Sequence, residues 1–347
     1  MKRVETSRKL TELKELLQFD EKVLLIIHDN PDPDSVASAW AMELLLRSMK
    51  VQVDVAYGGS IGRAENRALL YNVDIDLRSI FTISAADYDL LLFLDCQPDS
   101  GNISFRLPED KKIGIIDHHI LNPNLGKIDF QDIREDFGAT ATIAYEYLLA
   151  RNIKVETDLA TALYYAIRTE TEDLGRGVGK ADREAYFKLH TKIDWDLLHR
   201  IVNSRVSPEY FRTMHKAIAG TCIYRNALVC SIGPIRHPDS VAEVADQMLR
   251  LENIEWVLCY AISKDQQMLF SLRSASPEFH MGELAQVIVA GIGTAGGHPQ
   301  LAGGQVRDLD RFEGGAEEAG ELLSKRFLRG INNSMKVGLP LVETHTE

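Results

Sequence analysis

Short apolar runs alternate with stretches of helical period through the first half of the chain. A helix over residues 9–18 leads into an apolar run at 23–27, which reads as a buried strand. The turn-rich segment 28–34 follows, and Asp34 or Ser35 caps a helix that runs to about Met49. Residues 51–57 alternate as a second strand ended by Gly58-Gly59, and 63–71 read as a polar helix. Two further apolar runs, 88–94 and 113–116, precede helices at 139–150 and 159–168. Short apolar runs alternating with helices predict an α/β fold with a parallel sheet covered on both faces. Residues 180–219 are polar and helical, with Ser207-Pro208 as a break. A second α/β unit follows, with strands at 227–232, 256–262 and 268–273 and helices at 240–251, 282–291 and 316–328. The expected division is an N-terminal parallel-sheet domain over 1–190, a helical linker over 191–220 and a smaller C-terminal α/β domain over 221–335. Residues 336–347 are expected to be loosely held.

A chain of 347 residues accommodates two domains, and 45% hydrophobic with 26% charged residues is the composition of a globular protein. The charged segment 1–9 precedes no apolar signal region, and no run is long enough to span a membrane, so a cytoplasmic protein is expected. Cys96, Cys222, Cys230 and Cys259 are widely spaced and form no CxxC pair, which favours buried thiols in a reducing compartment. A formal charge of −12 argues against a protein that coats nucleic acid through a basic surface. It leaves a phosphorylated substrate open, because metal ions and a few cations invert the sign within one site.

Four segments place carboxylates or imidazoles at the ends of predicted elements. The first contains His28, Asp32 and Asp34, spaced by Pro31 and Pro33, which stiffen the turn. Asp95 ends the second apolar run, and Asp117-His118-His119 ends the third. The fourth is Arg168-Thr169-Glu170-Thr171-Glu172-Asp173, after an apolar helix. In an open parallel sheet, ligands gather beyond the carboxyl ends of strands. Mixed imidazole and carboxylate donors suit Mn²⁺, Fe²⁺, Co²⁺ or Zn²⁺ better than Ca²⁺. Two such ions, about 3.5–4 Å apart, can bind one phosphoryl group and acidify a water between them. Taken singly, Asp32 and Asp34 read equally well as turn and cap residues, and Asp95 more readily so. Their joint arrangement is what points to a metal centre.

These segments resemble the DHH phosphoesterases, in the oligoribonuclease-type and RecJ-like group that carries a DHH-associated C-terminal domain. Residues 28–34 match the first motif, Leu94-Asp95 the second and Asp117-His118-His119 the third. In the C-terminal half, Ser271-Leu272-Arg273-Ser274 and Gly296-Gly297-His298, with the glycine pair Gly303-Gly304, resemble the substrate-binding signature. The resemblance implies two divalent ions, Mn²⁺ foremost, in a cleft between the domains. It assigns one ion to His28 and Asp32, the other to Asp34 and His118, and a bridge to Asp95. Asp117 would steer a neighbouring imidazole and His119 would meet the phosphate. Arg273, Ser274, Gly296, Gly297 and His298 would bind substrate. The family's fourth motif usually reads Thr-Asp-Thr, whereas this chain has Thr169-Glu170-Thr171. Glu170, one methylene longer, or Asp173 about one helical turn on, would then complete the metal site. Arg63 and Asn66 could also face the cleft, although a solvated helix face accounts for them.

The function expected is metal-dependent hydrolysis of phosphate esters in short oligonucleotides, dinucleotides or nucleoside bisphosphates. The partner would be a short single strand or a nucleotide; no membrane and no duplex DNA are expected, and homodimerisation is left open. Two other expectations compete. One is an exopolyphosphatase or pyrophosphatase acting on inorganic phosphoanhydrides. The other is a nucleotide-binding regulator weakened in catalysis by the Glu170 departure.

Overall fold

The structure, a computed structural model, describes residues 2–17, 21–100, 102–105, 107–108, 110–123, 125–276, 278–297, 299–335 and 337–342. The chain forms two compact units, Met1–Ser204 and Arg205–Glu347. In chain order the first contains α1 (Lys2–Leu16), β1 (Lys22–Ile26), α2 (Pro33–Ser48), β2 (Gln52–Tyr57), α3 (Ala64–Asn72) and β3 (Leu77–Ser79). Then come β4 (Leu90–Leu94), β5 (Lys112–Asp117), β6 (Phe130–Ile133), α4 (Thr140–Ala150), α5 (Thr157–Glu170), α6 (Lys180–His190) and α7 (Trp195–Val202).

The six strands are all parallel, in the order β3-β2-β1-β4-β5-β6. Their near-continuous Leu, Ile and Val content follows from burial on both faces. Side chains alternate along each strand, so Leu25, Leu92 and Ile116 enter one core and Leu24, Leu91 and Ile115 the other. The first core is closed by α1, α2, α4 and α5. The second differs: among the described residues it is closed by Ile80, Tyr88, Ile103, Phe105, Leu107 and Leu125, none of which lies in an α-helix. β3 and β6 had no clear sequence signal. Each has at most four residues and one polar face, too few for alternation to register.

The second unit contains α8 (Pro208–Ala219), β7 (Thr221–Tyr224), β8 (Ala227–Pro234), α9 (Ser240–Met248), β9 (Trp256–Ile262) and β10 (Met268–Ser274). It continues through α10 (Met281–Ile288), β11 (Gly293–Gly297), β12 (Leu301–Val306), α11 (Gly315–Gly330) and β13 (Leu339–Pro340). Its sheet runs β11-β12-β10-β9-β8-β7-β13, and only β8 and β9 pair in parallel. One face is packed by α10 and α11, the other by α8 and α9.

The segment expected as a linker divides between the units. Leu197, Leu198 and Ile201 of α7 enter the first core of the first unit, whereas Ala217 of α8 enters a core of the second unit. Ser207 caps α8, its side chain accepting from the Tyr210 amide, with Pro208 in the first turn. Within the terminal stretch expected to be loosely held, Leu339–Pro340 pair with β7. No helix among the described residues is long and apolar enough to cross a membrane.

Candidate metal centre

The strand order of the first sheet reverses between β1 and β4, which lie side by side. His28 follows β1, Asp95 follows β4 directly, and Asp117 is the last residue of β5. All three therefore meet at the carboxyl end of the sheet beside its switch point, where open α/β sheets collect ligands. Asp95 occupies the left-handed region (φ 60°), an uncommon conformation for a non-glycine residue, and its amide still bonds Ile116 O at 3.1 Å. Such backbone persists only where surrounding contacts enforce it.

The first motif is fixed from several sides. His28 Nδ1 lies 2.9 Å from Asp29 O, and its Nε2 is 3.5 Å from Asp32 Oδ1 and 3.8 Å from Asp95 Oδ2. Asp32 caps α2: its Oδ1 accepts from the Ser35 amide at 2.9 Å, and Ser35 Oγ accepts from the Asp32 amide at 3.1 Å. Asn66 is buried and donates to Pro31 O at 3.2 Å, so it supports this turn rather than forming a solvated face. Gly58 packs against the Asp29 carboxylate, and a Cβ there would lie 1.8 Å from Asp29 Oδ1, so a larger residue would displace that side chain. Asp34, fully enclosed, accepts from the Thr140 amide at 2.8 Å and the Ala141 amide at 2.7 Å, one on each oxygen. Those are free amides of the first turn of α4, a natural seat for a carboxylate.

Asp95 faces three imidazoles. One oxygen, Oδ2, looks toward His28; the other, Oδ1, lies 3.5 Å from His118 Nε2 and 3.7 Å from His119 Nδ1. The Thr140 hydroxyl donates to that same Oδ1 at 2.9 Å. His118 Nδ1 is 3.2 Å from Phe137 O, and its Nε2 is 3.8 Å from Asp34 Oδ2. Asp117 holds the turn after β5. Its Oδ1 accepts from the amides of His118 (2.7 Å) and His119 (3.1 Å) and bonds His119 Nδ1 at 2.7 Å. Its Oδ2 accepts from Gln97 Nε2 at 2.7 Å. The imidazole that Asp117 steers is thus that of His119.

Burial pushes the Asp34 and Asp95 carboxyls well above the ordinary carboxylate range, and neighbouring acids add to the shift. Burial alone would lower His28, but the charge and hydrogen bond of Asp32 lift it to about 9. Asp32 is raised by its enclosure and pulled, on balance, below its usual range by His28 and Ser35. Asp117 is likewise opposed by burial yet drawn down to about 2 by its bond to His119, whose own value rises in return.

The donor set fits divalent cations. For both His28 and His118, Nδ1 beside a backbone carbonyl turns Nε2, the atom available for coordination, toward the carboxylates. Donor atoms of His28, Asp32 and Asp95 lie within 4.8 Å of one another, as do those of Asp95, His118 and His119. Acids that stay protonated without a partner ionise once a cation neutralises them.

Glu170 ends α5, and its carboxyl is raised first by burial and next by Asp32, with Arg176, His119 and His28 opposing. It therefore lies within electrostatic reach of the first and third motifs. Asp173 is turned outward: its Oδ1 accepts from Arg168 Nε at 2.7 Å and from Tyr186 OH at 3.2 Å, with 57% of the side chain exposed.

In the second unit, Arg273 Nε donates to Asp246 Oδ1 at 2.5 Å, while Nη1 donates to Ser271 Oγ at 2.6 Å and Leu272 O at 2.9 Å. Ser274 is committed to its own turn, its hydroxyl donating to Ser276 O and accepting from the Ser276 amide, both at 3.1 Å. Gly296 and Gly297 lie in β11, which pairs antiparallel with β12 as a hairpin that also contains Gly303 and Gly304. Gly297 has φ 153°, and a Cβ there would lie 2.4 Å from Leu301 O. His298 lies outside the described residues.

Sequence reasoning missed Thr140, Gln97, Arg176 and Asp182. Only Thr140 had a readable signal, a threonine opening a helix after Gly138-Ala139. The others act through contacts set by folding.

Comparison with known proteins agrees with this layout. Residues 22–167 match the DHH family N-terminal domain, and 225–325 match the DHHA1 domain. An uncharacterized protein of Methanocaldococcus jannaschii is 32% identical over 82% of this chain and 58% of its own length. The cyclic-di-AMP phosphodiesterase GdpP of Bacillus subtilis is 24% identical over 88% of this chain and 50% of its own. A probable manganese-dependent inorganic pyrophosphatase of Enterococcus faecalis is 24% identical over 43% of this chain and 48% of its own. The chain thus spans about half the length of these curated relatives. An exopolyphosphatase-related protein from Bacteroides fragilis shares the fold, with a TM-score of 0.70 at 18% identity over 93% of this chain and 96% of that one. With both domains in order and the motif residues gathered at one sheet end, the chain belongs to the DHH family.

Proposed function

We propose that the chain is a metal-dependent phosphoesterase acting on short nucleotide substrates: dinucleotides, short oligoribonucleotides or nucleoside bisphosphates. The observation that carries this reading is Asp95, whose two oxygens face His28 and His118 from opposite sides. That arrangement suits a carboxylate bridging two ions, with His28 and Asp32 on one and Asp34 and His118 on the other. Glu170 completes the set in this reading, because Asp173 is engaged by Arg168 and Tyr186. Two divalent ions, of the Mn²⁺ type, would polarise the phosphoryl oxygens and acidify the attacking water.

The chain's own residues supply the rest. Asp117 keeps His119 oriented and favours its protonated form, so the imidazolium can hold a phosphate oxygen as charge develops. Arg273, steadied by Asp246 and Ser271, binds a second anionic group. The glycines of the β11–β12 hairpin let a sugar or phosphate approach the backbone.

An inorganic substrate is the competing reading, supported by the pyrophosphatase relative. That match covers 43% of this chain, whereas the match to a cyclic-dinucleotide phosphodiesterase covers 88%, more than either unit alone. The nucleotide reading is therefore favoured. The test is a side-by-side assay with Mn²⁺ of dinucleotides, oligoribonucleotides, nucleoside bisphosphates, pyrophosphate and polyphosphate. Turnover of pyrophosphate or polyphosphate with none of the nucleotides would overturn the proposal. Nucleotide binding with no turnover of any substrate would point to a regulator.

A further inference from the structure

The segment after Glu170 has a backbone found nowhere else among the described residues. Glu172, Asp173 and Leu174 are three consecutive non-glycine residues with left-handed φ values of 49°, 55° and 67°. L-residues usually visit this region singly. The run ends α5 abruptly and folds the chain back, so that the amides of Gly175 and Arg176 reach Thr171 O at 2.8 and 2.9 Å. Buried Thr171 pins the turn, with its hydroxyl donating to Ile167 O at 2.5 Å and accepting from the Leu174 amide at 3.2 Å.

The result is to bring Arg176 over Glu170. Its Nη2 donates to Glu170 O at 3.0 Å and lies 3.8 Å from Glu170 Oε1, while Nη1 donates to Glu172 Oε1 at 2.7 Å. The Arg176 side chain is 19% exposed. Had the helix continued, residue 176 would lie about 9 Å further along its axis, well past the Glu170 carboxyl. The far side of the loop is also fastened. Asp182 Oδ2 accepts from the amides of Gly138 and Gly179, each at 2.8 Å, and Oδ1 accepts from Thr142 Oγ1 at 2.6 Å. The loop is thereby tied to the segment that opens α4, which holds Asp34 and Asp95.

We propose that Arg176 is a positioning residue that restrains the Glu170 carboxylate so that it can serve as a metal ligand. This rests on the reading of Glu170 given above. A glutamate has one more rotatable bond than the aspartate expected at this place. The restraint therefore removes freedom that would otherwise be lost on metal binding. At 3.8 Å the guanidinium attracts the carboxylate without a hydrogen bond to it, so both oxygens keep their lone pairs for coordination.

The test is Mn²⁺ binding to the full chain, followed by electron paramagnetic resonance of the free ion. Glu170→Gln should weaken one of two ions at least tenfold. Arg176→Gln should weaken that same ion about tenfold, and the double variant should be no weaker than Glu170→Gln alone. Arg176→Lys, which keeps the charge but not the fork, should fall between and covers the case in which Arg176→Gln folds poorly. Arg168→Gln, with the same loss of charge in the same segment, should bind both ions as the natural chain does. Normal affinity in Arg176→Gln and Arg176→Lys alongside a weakened Glu170→Gln would overturn the inference. Normal affinity in Glu170→Gln would instead overturn the ligand reading on which it rests.

Discussion

Thr140 touches Asp95 with its side chain while its backbone amide holds Asp34, so a single residue steadies two of the motif carboxylates. The start of α4 therefore helps to set the separation between Asp34, in the first turn of α2, and Asp95, just after β4. For Asp95→Ala, Mn²⁺-dependent hydrolysis should fall by about a thousandfold or more if Asp95 bridges two ions as proposed. Thr140→Val, which deletes only the supporting hydroxyl, should cost about ten- to a hundredfold in metal affinity or rate. Near-normal turnover in Asp95→Ala would sink the two-metal reading.

Asp117→Asn separates orientation from charge at His119. The amide can still accept from the two backbone amides, but the charge that raises the His119 value is gone. The His119 imidazole should then titrate at lower pH, which nuclear magnetic resonance of its ring protons can follow. The alkaline limb of the activity profile should move down with it. An unchanged titration would exclude Asp117 as the partner that keeps His119 protonated.

Without metal, stability should peak on the acid side of neutrality. His28 and His119 have raised values, so their contribution is complete below about 6.5 and is lost as pH rises, for His28 through about 9. Asp34 and Asp95, also raised, lose stability in the same direction above their usual 3.8. Asp32 and Asp117 are lowered, so their contribution is present above 3.8 and is lost on acidification, for Asp117 through about 2. Thermal midpoints of the metal-free protein should decline from weakly acid pH toward 9. Saturating Mn²⁺ should remove much of that decline, because the cation stands in for the protons. A midpoint flat from pH 6 to 9 without metal would contradict this account.

In the second unit, Arg273→Ala should raise KM about ten- to a hundredfold with a smaller change in kcat, as expected for uniform binding of a phosphate. Asp246→Asn keeps the shape of the partner but weakens the charge-assisted bond to Arg273 Nε, and should raise KM by a smaller factor. If kcat fell while KM held, Arg273 would belong to the transition state instead.

Much of this was legible before folding was considered. The apolar runs that became β1, β4 and β5 are buried on both faces, and that leaves an unbroken signature in the sequence. His28, Asp95 and Asp117-His118-His119 could be located because each follows such a run. The hairpin of β11 and β12 was less readable, since its glycines suppress alternation. The shielded face lined by Ile80, Phe105 and Leu125 was also hidden, for irregular segments have no period. At the fourth motif the residue types were plain, yet the separation of Glu170 from Asp173 depends on three left-handed residues with no glycine to announce them.

Asp182 carries a consequence for the motions of the first unit. The amides of Gly138 and Gly179 share one acceptor atom, Oδ2, although they belong to segments on either side of α4 and α5. Neither amide can be released by displacing that carboxylate without releasing the other. Their exchange with deuterium should therefore proceed at one common rate. The start of α4 and the loop behind Glu170 would open as one cooperative element, so that fluctuation of the fourth motif is shared by the seat of Asp34 and Asp95.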